Sequence, residues 1–146
     1  MKKLIQKIQA THAGVFVSLL RITIGLIFFK AGSGKLFGWF GGFGIEGVTS
    51  FFTKLGIPFP LFNAYLVGST EWIGGILMTL GLFTRLVSIP FCIIMVMAIF
   101  TAHKDGDFYY PLMILMSSLA LLEIGGGILS IDKLCSRQKN ERVIQP

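Results

Sequence analysis

Four apolar stretches, residues 16–34, 61–82, 85–103 and 109–131, fill most of the chain. Each is about as long as a helix must be to cross the hydrocarbon core of a bilayer, roughly 20 residues. With 53% hydrophobic and 14% charged residues and a mean hydropathy of +0.77, too little polar surface is left to coat a soluble globule. The expected fold is therefore all-α: an integral membrane four-helix bundle, with the 146 residues forming a single transmembrane domain.

The net charge of +6 could suggest nucleic acid. The cations, however, gather at the two ends and in short loops rather than on a basic stripe, so the expected partner is membrane lipid and not nucleic acid. Four spans put both termini on one side. That side carries Lys2, Lys3, Lys7, Arg85, Lys133, Arg137, Lys139 and Arg142, against Lys35, Lys54 and Lys104 on the other, and eight against three places both termini in the cytoplasm. The lysines before the first apolar run resemble a secretory signal, but Arg21 inside the run and the lack of a small-x-small cleavage site favour a retained first helix. Cys92 lies mid-span and Cys135 in the basic tail, with no C-x-x-C, which argues against a paired-thiol redox centre.

The connection from Leu36 to Pro60 is loaded with Phe37, Trp39, Phe40, Phe43, Phe51, Phe52 and Phe59. Within it Ile45, Val48, Phe52 and Leu55 recur at helical spacing until Gly56-Ile57-Pro58 ends the pattern. This predicts a short amphipathic helix in the plane of the outer interface, serving as an aromatic anchor, as a lid over a site, or as both.

Arg21 interrupts the otherwise uncharged stretch Val15–Phe29, Glu71 that from Leu61 to Leu82, and Glu123 that between Tyr109 and Ile131. A charge near the centre of a span costs about 2.5–3.5 kcal/mol on insertion scales, so such groups face protein and find partners there. Arg21, Gly25, Phe28, Gly32 and Lys35 fall on one stripe of the first helix. Glu71 shares a face with Gly68, Gly74, Gly75 and Met78, and Glu123 is expected above Gly126, Gly127 and Ser130. The glycines mark close helix contacts without naming the partner helix. At a rise of about 1.5 Å per residue, Arg21 lies roughly 7 Å, Glu123 roughly 12 Å and Glu71 roughly 17 Å from the cytoplasmic ends. Arginine could thus reach one of the acids. Two readings stay open, a buried ion pair that sets helix register and a carboxylate that handles protons.

His103, at the outer end of the third span beside Lys104-Asp105-Gly106-Asp107, is placed to shuttle a proton or to sit at the interface without chemistry. No residues have metal-ligand or haem-ligand spacing. Gly32-Ser33-Gly34-Lys35 lacks the upstream glycine and the following hydroxyl of a phosphate loop, and no G-x-S-x-G is present.

Leu20-Arg21 with Gly25, Phe28, Gly32 and Lys35, then Glu71-x-x-Gly74-Gly75-x-Leu77, Gly81-Leu82-x-Thr84-Arg85, His103 and Gly127-x-x-Ser130-x-Asp132 together resemble the DoxX family of small four-helix membrane proteins, over about residues 18–132. The resemblance implies a multi-pass protein of the bacterial inner (plasma) membrane, acting as an accessory or quinone-linked subunit of a redox or oxidative-stress system. Related assemblies include a thiosulfate:quinone oxidoreductase and one linking superoxide detoxification with thiol handling. Most members have no established activity, so whether the chain is itself an enzyme stays open; if it is, it belongs to a quinone-linked oxidoreductase complex. On that pattern Arg21, Lys35, Glu71, Arg85 and His103 are the candidate polar site, while Glu123 departs from it. Quinone is the cofactor implied, although no residue pattern names it. A redox enzyme subunit and a second copy of the chain are the protein partners implied. A carrier of a small solute or protons and an adaptor without chemistry are the competing function classes.

Overall fold

The computed structural model describes residues 13–102 and 106–131. Among the described residues the chain forms five α-helices and no strand: α1 (Ala13–Phe37), α2 (Gly44–Lys54), α3 (Pro60–Leu80), α4 (Thr84–Thr101) and α5 (Tyr109–Ile124), with a single 3-10 turn at Trp39–Gly41. α1 and α4 are long and apolar enough to cross a membrane, and α5 is apolar but shorter. The helix expected in the long connection is present as α2.

The helix ends follow local chemistry. Pro60 starts α3, where its missing N–H costs nothing. Gly81 closes the same helix at φ 75°, with its N–H on the Leu77 carbonyl (2.9 Å) and the Leu82 N–H on that same carbonyl (2.9 Å). The Gly81 N–H also reaches the Met78 carbonyl (3.1 Å), so two orphan carbonyls at the terminus are satisfied. Phe59 and Phe83, the residues before α3 and α4, also hold positive φ (48° and 51°), an unusual conformation for so bulky a side chain.

The expected fourth span to residue 131 is corrected. α5 stops at Ile124 because Gly125 adopts φ 89° and ψ −163°, which no helix continues. Gly125 is thus a helix terminator, while Gly127 does allow close packing: a methyl group there would lie 2.5 Å from Ser18 Oγ and 2.9 Å from the Gly14 carbonyl oxygen.

α1 and α3 run antiparallel with their backbones in contact. A methyl group added at Gly25 would lie 2.6 Å from the Thr79 nitrogen and 2.9 Å from the Gly75 carbonyl oxygen; one at Gly32 would lie 2.4 Å from the Trp72 nitrogen and 2.8 Å from the Gly68 oxygen. From the other side, a methyl at Gly75 would sit 2.4 Å from the Phe29 nitrogen. Gly25 and Gly32, and Gly68 and Gly75, are each seven residues apart, so the seam repeats every two turns. In lipid, where apolar burial gives helices little reason to associate, such close van der Waals contact drives pairing.

α4 packs along α5. The core joins Ile24 and Phe28 of α1, Met78 of α3, Val87, Phe91 and Met95 of α4, and Ile114, Leu115 and Leu121 of α5. At its centre Phe28 and Phe91 stack with centroids 3.6 Å apart, and Gly74 leaves space for the Phe91 ring.

Candidate functional site

The antiparallel seam brings Lys35 of α1 to Glu71 of α3. Side chains on a helix lean toward its N-terminus. On two antiparallel helices they therefore lean in opposite directions, and these two lean into each other. Lys35 Nζ donates to Glu71 Oε2 in a direct ion pair. The Glu71 side chain is only 2% exposed, whereas Lys35, in the last turn of α1, is 28% exposed.

This pair lies in the wall of a cavity of about 640 Å³. Ile27, Phe28 and Ala31 of α1, Leu66 and Val67 of α3, Ile94 and Ala98 of α4 and Ile114 of α5 supply apolar walls. Phe51, Phe52 and Leu55, from α2 and its end, with Ile57 just beyond, line one end. Thr70, Asn63, Thr101 and Tyr110 add scattered polar groups. Such a site offers a bound molecule an apolar slot, an ammonium donor and a carboxylate that can accept a proton.

The other expected site residues lie elsewhere. Arg21 is buried, as its stripe requires, but it does not meet Glu71. Its Nη1 donates to the carbonyls of Met78 (2.9 Å) and Thr79 (3.0 Å), and its Nη2 to that of Leu129 (3.2 Å). It holds the C-terminal end of α3, where a cation complements the helix dipole. Gly81 is required twice there, by its positive φ and because a methyl group would lie 2.2 Å from Arg21 Nη1. Of the two acids Arg21 could reach, it does not meet Glu71: the register sets Arg21 beside Gly81, ten residues and about 15 Å along α3 from Glu71.

Glu123 is likewise corrected. It is exposed in the last turn of α5 rather than buried mid-span, because α5 ends one residue later. Arg85 is exposed and donates from Nη2 to the Glu123 backbone carbonyl (3.0 Å), capping α5 rather than joining the cavity. His103 lies outside the described residues. Glu123→Gln is accordingly expected to move stability by no more than about 0.5 kcal/mol, the range of an uninvolved surface position. Thermal unfolding in detergent measures this, and a loss above 2 kcal/mol would contradict the exposed placement.

The sequence places Lys35 on the protein-facing stripe and with Glu71 in the candidate polar site, but does not name the two as partners. The signal was present in the two matching seven-residue glycine spacings, which align α1 with α3.

Fold and site together describe a small all-helical protein of membrane character with an apolar cavity and a buried ion pair in its wall. The chain belongs to the DoxX family, whose sequence profile matches residues 16–104, from α1 through α4. Arg21, Lys35, Glu71, Arg85 and His103 fall inside that match and Glu123 beyond it. Over 125 residues the chain is 33% identical to "Putative oxidoreductase CatD" of Bacillus subtilis (strain 168), covering 83% of this chain and 87% of that protein. No solved structure matches.

Proposed function

We propose that this chain is a four-span protein of the bacterial inner membrane, with both termini cytoplasmic and α2 in the outer interface, and that it serves as a quinone-linked subunit of a membrane redox system. The observation that carries this reading is the 640 Å³ apolar cavity with the Lys35–Glu71 pair in its wall. Its volume falls within the roughly 300–1,000 Å³ of small-molecule sites, and its lining accepts an aromatic ring and a hydrocarbon chain. The relative's printed name, that of an oxidoreductase, supports the redox part.

The residues present fit a quinone. Lys35 would donate to a ring oxygen, and Glu71 would accept or return a proton there. Bound quinone would supply reversible two-electron, two-proton chemistry. The described residues gather no group of three or more His, Cys, Asp or Glu side chains. The electron-carrying centre would then lie in a partner subunit. The exposed Phe40, Phe59 and Phe83 at helix ends suit anchoring in the headgroup region.

Equilibrium binding of decylubiquinone to the protein in lipid nanodiscs tests the reading. Wild type is expected to bind, and Glu71→Gln to weaken binding by about 10–100-fold, the equivalent of a charged hydrogen bond of about 1.5–3 kcal/mol. Absence of saturable binding to wild type would refute it.

A further inference from the structure

The cavity is lined from both sides of the gap between α3 and α4. Near their connecting turn α3 and α4 pack together, with Gly74 against Phe91 and Val87. Away from the turn, lining residues between 63 and 71 of α3 and between 90 and 101 of α4 face the cavity instead. At the turn end, the Phe28–Phe91 stack and the fully buried Met78 and Leu121 close it. Phe51, Phe52, Leu55 and Ile57 cover the end beside the long connection. The gap between the two helices has Leu66, Ile93 and Met97 on its lips, lining residues that are half or more exposed; Tyr110 of α5 also lines the cavity and is exposed.

We infer that this gap is a side door to the bilayer: the site takes a membrane-dissolved amphiphile whose polar head enters between α3 and α4 to reach Lys35 and Glu71, while its apolar tail stays against Leu66, Ile93 and Met97. This rests on the membrane and ligand-site reading above, and adds the route and the need for a tail. The lips are apolar and face away from the protein, so a water-soluble solute would find no hydrated approach there. An apolar transmembrane helix from a partner would bring no polar group to the Lys35–Glu71 pair, whereas the polar head of an amphiphile would. Lys35 sits in the last turn of α1, next to the long connection, so the head would be drawn from the leaflet on that side.

The experiment places a nitroxide spin label within the cavity, through Ile94→Cys in a Cys92→Ala/Cys135→Ala background, in the full chain reconstituted into phosphatidylcholine vesicles. Ala98→Cys provides a second reporter should the first perturb the fold. Collisional relaxation by oxygen, which concentrates in lipid, is expected to exceed that by a water-soluble nickel chelate at least threefold. Leu66→Trp/Met97→Trp, which fills the lips at exposed positions, is expected to cut oxygen access at least twofold and to weaken decylubiquinone binding at least tenfold. Equal or greater access for the nickel chelate would overturn the proposal in favour of a water-filled path. Oxygen access that is low in wild type would overturn it in favour of a gap closed by a second copy or a partner, and access that the tryptophans leave unchanged would overturn it in favour of another route from the lipid. If the label is oxygen-accessible and tryptophan-sensitive but no quinone binds, the side door stands and the quinone reading falls.

Discussion

Lys35→Met is expected to destabilise the protein by about 3–5 kcal/mol, the cost of stranding a buried charge when its partner is removed. Glu71→Gln is expected to cost less, about 1–2 kcal/mol. The asymmetry comes from exposure: Glu71 is 2% exposed and cannot reach water, whereas Lys35, 28% exposed in the last turn of α1, can swing out and rehydrate its ammonium. The decisive member of the series is Lys35→Met/Glu71→Met. An apolar pair of similar size should recover stability to within about 1 kcal/mol of wild type, because a buried ion pair gains little over good hydrophobic packing. Decylubiquinone binding should not recover with it. Thermal and denaturant unfolding in detergent, read as a double-mutant cycle, gives the coupling. A double variant as unstable as Lys35→Met would show that the cavity wall needs the pair for folding, and one that still bound quinone would remove the pair from the site.

The second large effect is expected at the α1–α3 seam. Gly32→Ala and Gly75→Ala each place a methyl group 2.4 Å from a backbone nitrogen of the facing helix, and backbone cannot yield as a flexible side chain can. Each should cost about 1–3 kcal/mol, as overpacking does, and the pair together more than either. Lys35 and Glu71 would be forced apart with their helices, so decylubiquinone affinity should fall in step with stability. Gly106→Ala is the control, since nothing lies within 4 Å of its added methyl group. Seam variants as stable as this control would mean that α1 and α3 are not held in backbone contact.

The sequence carried the fold further than the site. Apolar runs of spanning length marked α1, α3 and α4 closely, because within one helix length and periodicity are local properties. The stripe from Arg21 to Lys35 was readable for the same reason, and both ends of it do face protein. Partner choice was not local. Whether Glu71 meets Arg21 or Lys35 depends on the register between helices separated by the whole 38–59 connection, and estimated depths from one membrane face brought the wrong cation near. Glu123 misled for a different reason: Gly125, Gly126 and Gly127 read as packing residues within a span, when Gly125 ends the helix and leaves the acid at its rim. The cavity had no linear signature, since its lining comes from five helices.

The long-range partners of α1 also impose a timetable on synthesis. Lys35 precedes its carboxylate by 36 residues, and Arg21 precedes the Met78 carbonyl it holds by 57. At about 5–20 residues per second, the first helix emerges roughly 2–7 s before Glu71 and 3–11 s before Met78. During that interval Arg21 and Lys35 sit on a segment of spanning length with neither of these partners yet made. The nascent helix would be costly to release into lipid in that state, so the insertion machinery would have to shelter it until α3 arrives.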